Sequence, residues 1–131
     1  MAFNKYDLLQ CNIECGGGWT FLVEYILDIM VSNIQFAEYD LKNLQKYNHL
    51  DPEELSLRKE ALDNAIINVP RITRVYENNG YLNVYVTHEN DEIKGAIFMA
   101  RFISRHICEL CGNRSSLNIS YERTRCRICN A

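Results

Sequence analysis

The sequence predicts an α+β fold in which two N-terminal helices, a β-hairpin and a third helix precede a small cysteine-rich segment. Three patterns within the 131 residues support this prediction. Apolar residues recur at helical spacing in the first half, and β-branched and aromatic residues surround an Asn-Gly pair in the second half. Two Cys-x-x-Cys pairs lie near the C-terminus.

The two N-terminal helices are predicted over residues 19–47 and 52–67. The apolar positions that form one face of the first helix are Leu22, Ile26, Met30, Ile34, Ala37, Leu41 and Leu44. The second helix is expected to begin after Asp51, because Asp is a good N-cap and Pro52 suits the first helical position. Acidic residues follow in its first turn, where the helix dipole favours them.

Residues 71–77 and 81–87 are predicted to form the β-hairpin. Asn79-Gly80 lies between them and suits a tight turn that needs positive φ. The residues on the apolar face of the second strand are Leu82, Val84 and Val86. Because a two-stranded hairpin is marginally stable alone, it must pack on the helices or pair with a further strand, for which residues 9–13 are the candidate.

A third helix is predicted to begin near Asn90, because Asp91 and Glu92 follow in what would be its first turn. It is expected to end just before the first cysteine pair. The positions expected to face the core are Ile93, Ile97, Ala100 and Ile103.

The two cysteine pairs predict a zinc ribbon over residues 108–131, packed with a body of residues 1–107 as one compact unit. The predicted ligands are Cys108, Cys111, Cys126 and Cys129, and fourteen residues separate the first pair from the second. Four thiolates complete the tetrahedral shell that Zn²⁺ prefers, and a closed shell leaves no position for a substrate. We therefore expect one structural zinc ion. Free thiols, a redox pair or iron are the alternatives.

Other potential ligands have simpler interpretations. His106 precedes Cys108 by two residues and could replace a cysteine, although a residue at a helix end is the simpler interpretation. Cys11 and Cys15 are either half of a second metal site or small buried side chains.

The run Gly16-Gly17-Gly18 resembles the start of an anion-binding helix. No P-loop lysine follows it, so we expect a structural turn that brings Trp19 onto the core.

Catalytic patterns are sparse, and we expect a protein that is not an enzyme. His49 and His88 lie in predicted loops, and no motif surrounds either of them. If neither a protein nor a nucleic acid binds, an enzymatic interpretation would begin with His88 and its neighbour Glu89.

Charge is divided unevenly along the chain. Residues 1–100 carry eight basic and fifteen acidic side chains, a net −7, whereas residues 101–131 carry six arginines and two acids, a net +4. Four thiolates and one Zn²⁺ would reduce the tail to about +2. The acidic body suits a basic protein partner. The arginines that would serve the alternative, nucleic-acid binding, are Arg114, Arg123, Arg125 and Arg127.

The hairpin also has a candidate partner-binding surface. Its three tyrosines are Tyr76, Tyr81 and Tyr85. Tyrosine supplies rigid contact area for a protein and can also stack on bases, whereas cross-strand structural pairs are the simpler interpretation.

Two motifs accompany the cysteine pairs: Glu-Cys-Gly-Gly-Gly-Trp at residues 14–19 and Glu-Asn-Asn-Gly-Tyr-Leu-Asn-Val-Tyr at residues 77–85. In this order they resemble a family of small, mostly uncharacterised bacterial and phage zinc-ribbon proteins. Its members show a Cys-Gly-Asp-Gly-Trp start and a charged hairpin that continues through Leu-Arg-Phe-Tyr. The resemblance spans about residues 14–131. Here Gly17 stands where the family commonly has Asp, and Asn78 and Asn83 stand where it has Lys and Arg, which removes charge from the hairpin.

Together these features predict a non-enzymatic, cytoplasmic zinc protein that binds another protein. Examples are an immunity or antitoxin-like protein that neutralises a basic toxin or nuclease, and a phage-encoded inhibitor. No secretory signal is visible, and Glu24 and Asp28 interrupt the longest apolar stretch, so we expect no membrane span. Six cysteines favour a reducing compartment. A nucleic-acid-binding zinc ribbon, as a regulator or accessory factor, is the alternative.

Overall fold

The computed structural model describes residues 4–46, 51–114 and 123–129. Within these residues the helices are α1 (Thr20–Lys46), α2 (Pro52–Ile67) and α3 (Asp91–Ser104). One three-stranded sheet contains β1 (Ile13–Glu14), β2 (Ile72–Asn78) and β3 (Tyr81–Val86). The α+β class is confirmed. The order of elements differs from the prediction, because a short strand and two 3₁₀ turns precede α1.

The described chain forms two compact units. The first unit contains Met1–Ile29 and Pro70–Ala131, and the second unit contains Met30–Val69. The expected division into residues 1–107 and 108–131 stays a prediction. The expected helix end at Tyr47, the loop with His49, and residues 115–122 and 130–131 of the expected ribbon lie outside the described residues.

The sheet is built around the hairpin. Strand β2 pairs antiparallel with β3 and parallel with β1, where Ile13 lies opposite Val75. Asn79 and Gly80 have φ angles of 53° and 83°, the left-handed conformation that the Asn-Gly pair predicts. The strand that completes the sheet beside the hairpin is therefore β1, which begins at the last residue of the candidate segment 9–13.

A β-bulge changes the alternation of side chains in β2. Ile72 pairs with Val86 and Arg74 pairs with Tyr85, so Thr73 has no partner of its own on β3. The extra residue allows Ile72 and Val75 to be buried together although they are three positions apart.

The buried face of α1 is broader than the sequence predicts. Four of the seven expected positions are buried, whereas Ala37, Leu41 and Leu44 are only partly so. A second buried row accompanies them: Val23, Leu27 and Val31. In α3, Ile93 and Ala100 are buried, but Ile103 is 36% exposed.

In the second unit, α2 begins as predicted at Asp51, whose side chain accepts a hydrogen bond from the Glu53 N–H at 3.0 Å. Arg58 forms ion pairs with Asp40 at 3.1 Å and with Glu54 at 3.5 Å. No side chain of α2 is buried.

One helical stretch of the described chain, Gly17–Lys46, is long and apolar enough to cross a membrane by length and composition. The core helix of a soluble protein passes the same test, so this stretch is weak evidence for a membrane span. The expected cytoplasmic location stays a prediction.

Candidate metal centre

The four predicted ligands come together at one point. The sulfur atoms of Cys108, Cys111, Cys126 and Cys129 all lie within 4.8 Å of one another, and those of Cys111 and Cys126 are 3.6 Å apart. A tetrahedron with Zn–S bonds of about 2.3 Å would separate its sulfurs by about 3.8 Å. This group can therefore hold one metal ion.

The surroundings of the sulfurs favour thiolates at two positions. Burial opposes ionisation of Cys108, but hydrogen bonds from the backbone of Cys126, Cys111 and Leu110 and from the Cys111 thiol together outweigh it and lower the pKa of the thiol to about 6. The N–H of Cys129 donates to the Cys126 sulfur at 3.4 Å and lowers the pKa of that thiol. Because the thiolate is the form that binds metal, the backbone prepares part of the shell.

The glycine turn holds the first cysteine pair in place. The Gly18 N–H donates to the Glu109 carbonyl at 2.7 Å, and the Gly112 N–H donates to the Cys108 carbonyl at 3.0 Å. A Cβ atom on Gly18 would overlap the Cys108 carbonyl oxygen, and one on Gly16 would overlap that of Glu109. Only glycine permits this close approach of the two backbones.

Glu109, between the first two ligands, is an internal anion with a side chain only 5% exposed. Its carboxylate accepts a hydrogen bond from the Gly16 N–H at 3.1 Å and lies 3.8 Å from Arg123. Arg123 also pairs with Glu77 at 3.4 Å. The Glu109 carboxylate accepts the Gly16 N–H, and the Glu109 carbonyl accepts the Gly18 N–H. Because these donors are already used within the protein, the turn is structural rather than an open anion site.

Trp19 explains why the turn precedes a helix. Its side chain is fully buried, and the indole N–H donates to the Ile107 carbonyl at 2.8 Å. The turn therefore does bring Trp19 onto the core, beside the segment that leads into the first cysteine pair.

The second cysteine pair is tied to the hairpin through Thr124. The Thr124 hydroxyl donates to the Gly80 carbonyl at 2.7 Å, and the Thr124 carbonyl accepts a hydrogen bond from the Glu109 N–H at 2.9 Å. Thr124 is fully buried. One residue thus links the β-turn, the first cysteine pair and the segment that precedes Cys126.

The remaining candidate ligands lie outside this group. His106 is exposed, and its ring packs 5.6 Å from that of Phe102. Cys11 and Cys15 are partly buried. Burial, followed by the charges of Glu109 and Glu77, raises the pKa of the Cys15 thiol to about 11. Among the described residues the C-terminal cysteines form the one group that can hold a metal.

The tail arginines have different environments. Arg123 is engaged with Glu77 and Glu109, and the Arg125 Nε atom is buried. Arg114 and Arg127 are exposed.

Two of the three hairpin tyrosines form a cross-strand pair. The hydroxyls of Tyr76 and Tyr85 are 3.0 Å apart, and the Arg74 guanidinium lies 4.0 Å from the ring centre of Tyr76. Tyr81 instead contacts Arg101 of α3 and Arg105, the residue that follows α3; their guanidiniums lie 4.9 and 4.5 Å from its ring centre. All three rings therefore have arginine or tyrosine neighbours.

No protein-family model, curated protein or solved structure matches this chain. The resemblance to small bacterial and phage zinc-ribbon proteins therefore stays a prediction.

Sequence reasoning missed three residues that position the four C-terminal cysteines: Gly18, Glu109 and Thr124. For Gly18, the sequence feature that could have indicated its role is the Gly-x-Gly spacing directly before Trp19. In the sequence Glu109 is indistinguishable from the other charged residues of the tail, and no local pattern around Thr124 indicates its contact with Gly80, 44 residues away.

Proposed function

We propose that the four C-terminal cysteines hold one structural zinc ion. The spacing of the sulfurs and the soft, fully thiolate donor set support zinc, and the hydrogen bonds around Cys108 support a structural role. Bound zinc would cross-link the two cysteine pairs. Metal analysis of the purified protein should give one zinc per chain. Cys11→Ser and Cys15→Ser variants should keep it, and a metal-free protein with unchanged folding would contradict the proposal.

We propose further that the chain is a cytoplasmic, non-enzymatic protein whose partner is another protein. The observation that carries this proposal is the outer surface of α3, where Phe98, Met99 and Phe102 are 67%, 52% and 54% exposed. Protein interfaces are enriched in aromatic residues, methionine and arginine. A protein partner is thus supported by the composition of this surface.

Helical spacing arranges this surface, which we call the α3 face, in three rows. Phe98 and Phe102 are four residues apart and form the central row. The flanking rows are Arg101 with Arg105 and Met99 with Ile103. Tyr81 extends the arginine row onto the hairpin, through the contacts described above.

The charge of the α3 face differs from that of the chain. Its rows contain two arginines and no acidic residue, although the chain carries a net −3. The basic toxin or nuclease expected from the acidic body stays a prediction, and the charge of this face favours an acidic partner instead.

Site-specific photo-crosslinking in the organism that encodes the chain would test the proposal. A crosslinking residue in place of Phe98 should give one discrete adduct with a second protein. The matched control is Leu57, which is 61% exposed on α2, and it should give none. Equal adducts at both positions, no adduct at Phe98, or an adduct of two copies of this chain would contradict a separate partner at the α3 face.

A further inference from the structure

A basic groove runs along one side of α3. Its volume is about 300 Å³, and it is lined by Tyr81, Phe98, Arg101, Phe102 and Arg105. The two guanidiniums lie against the Tyr81 ring, which restrains their side chains. Stacked guanidiniums keep their charge and their planar donor fork available to an anion.

These two arginines have no internal counter-charge in the described part of the chain. Neither Arg101 nor Arg105 forms an ion pair there, whereas Arg58, Arg74 and Arg123 each pair with at least one carboxylate. The chain has 17 acidic residues against 14 basic ones, so acidic partners are abundant. The groove therefore presents positive charge that no carboxylate among the described residues compensates through an ion pair.

A second groove lies on the opposite side of the phenylalanine row, between α1 and α3 of the first unit. Its volume is about 150 Å³. All of its lining residues are apolar or tyrosine: Leu22, Tyr25, Ile26, Ile29, Ala96, Met99, Ala100 and Ile103. Tyr25 and Met99 are 62% and 52% exposed at its edges.

We propose that the α3 face binds an acidic, amphipathic segment of another protein. Carboxylates of that segment would pair with Arg101 and Arg105, and its apolar side chains would enter the groove between α1 and α3. This inference rests on the proposed protein-binding function and specifies the chemistry of the partner.

The apolar groove separates this partner from the other candidates. A single-stranded nucleic acid carries a charge on every nucleotide and needs a continuous basic track, which the groove between α1 and α3 does not supply. A basic segment would meet the two uncompensated guanidiniums, and like charges brought together at an interface oppose binding. Acidic and apolar side chains together suit both grooves.

Selection from a random 16-residue peptide library displayed on phage, with the purified metal-loaded chain as bait, would test the inference. Enriched peptides should combine Asp or Glu with spaced apolar residues. Fluorescence anisotropy with a synthetic enriched peptide should show at least about a tenfold weaker affinity for Arg101→Gln/Arg105→Gln, and a flatter salt dependence. Lys59→Gln, an exposed change on α2, is the matched control and should leave affinity unchanged.

The outcomes distinguish the inference from the function on which it rests. Peptides that lack acids, or that bind the double arginine variant equally well but lose binding to Phe98→Ser/Phe102→Ser, would overturn the acidic partner and keep protein binding at the α3 face. If no peptide is enriched, or if the enriched peptides bind both double variants as tightly as the unaltered chain, the acidic partner and protein binding at the α3 face are both contradicted. If a 15-nucleotide oligothymidylate binds more tightly than the enriched peptide, and this binding requires Arg101 and Arg105, the inference is overturned in favour of nucleic acid. Zinc content and circular dichroism of each variant verify folding.

Discussion

The two compact units are stabilised in different ways. In the first unit, backbone groups far apart in sequence bond directly, as in the 2.7 Å hydrogen bond between Gly18 and the Glu109 carbonyl. In the second unit, the polar contacts described are the N-cap hydrogen bond of Asp51 and the partly exposed ion pairs of Arg58, and α2 buries no side chain. The first unit therefore depends on specific atoms at specific positions, whereas α2 in the second unit depends on a cap and on partly exposed ion pairs, features that many helices share.

This difference predicts where substitutions matter. Around the metal centre, a single added atom or lost ligand should disturb several segments together, because Gly18, Glu109 and Thr124 each link two or more of them. Along α2, where no side chain is buried, comparable changes should have small and local effects.

The largest effect is expected for Cys126→Ser. Losing one thiolate should release the metal, and the free energy of unfolding should fall by at least several kcal/mol, because metal binding and folding are coupled in structural zinc sites. Zinc content and thermal melting would measure both. Cys11→Ser is the control and should retain the metal. A Cys126→Ser variant that keeps one zinc ion per chain and has an unchanged melting curve would contradict the assignment.

Gly18→Ala should come next, with a loss of about 3 kcal/mol or more, because the new Cβ would overlap the Cys108 carbonyl. Gly17→Ala is a matched control one residue away, where a Cβ meets nothing within 4 Å. Its stability should be unchanged or raised by up to about 1 kcal/mol. Urea denaturation of the two variants would compare them, and similar midpoints would contradict the close-packing role of the turn.

Thr124→Val should cost about 1–3 kcal/mol, because it keeps the shape of the side chain but removes the donor from the Gly80 carbonyl. Thr73→Val makes the same chemical change at the exposed bulge, where the hydroxyl donates to the Tyr85 carbonyl at 3.3 Å. Water can replace that bond, so we expect less than about 0.5 kcal/mol. Equal losses in chemical denaturation would show that burial of Thr124 does not decide its contribution.

The smallest effect is expected for Arg58→Ala in the second unit, at about 0.5 kcal/mol or less, because its ion pairs are partly exposed to water, which screens them. Arg123→Ala should destabilise more, since it leaves the buried Glu109 carboxylate without its nearby charge. Denaturant midpoints of the two variants test the contrast between the units, and a larger effect at Arg58 would reverse it.

Local features of the fold could be predicted from the sequence because each depends on neighbouring residues. The cap at Asp51, the cap at Asn90 and the turn at Asn79 all lie where their residue types indicate. The grouping of the four cysteines could also be predicted, because two Cys-x-x-Cys pairs have the spacing that lets four thiols surround a single ion.

Features that join distant segments could not be predicted. The contact between Gly16 and Glu109 spans 93 residues, and no local pattern distinguishes this glutamate from a surface one. The bulge at Thr73 was missed because strict alternation assumes one residue per partner. The α3 face required the structure as well, since the helical pattern alone placed Ile103 in the core.

Residue-resolved hydrogen exchange, with the metal bound and after chelation, tests the central claim that the metal centre organises the first unit. Chelation should accelerate exchange of the Gly18, Glu109 and Gly112 amides by at least about a hundredfold, because their acceptors lie around the cysteine pairs. The Leu55 and Asn68 amides of the α2 region should exchange at similar rates in both conditions. Unchanged protection around the glycine turn after complete metal removal would contradict the account.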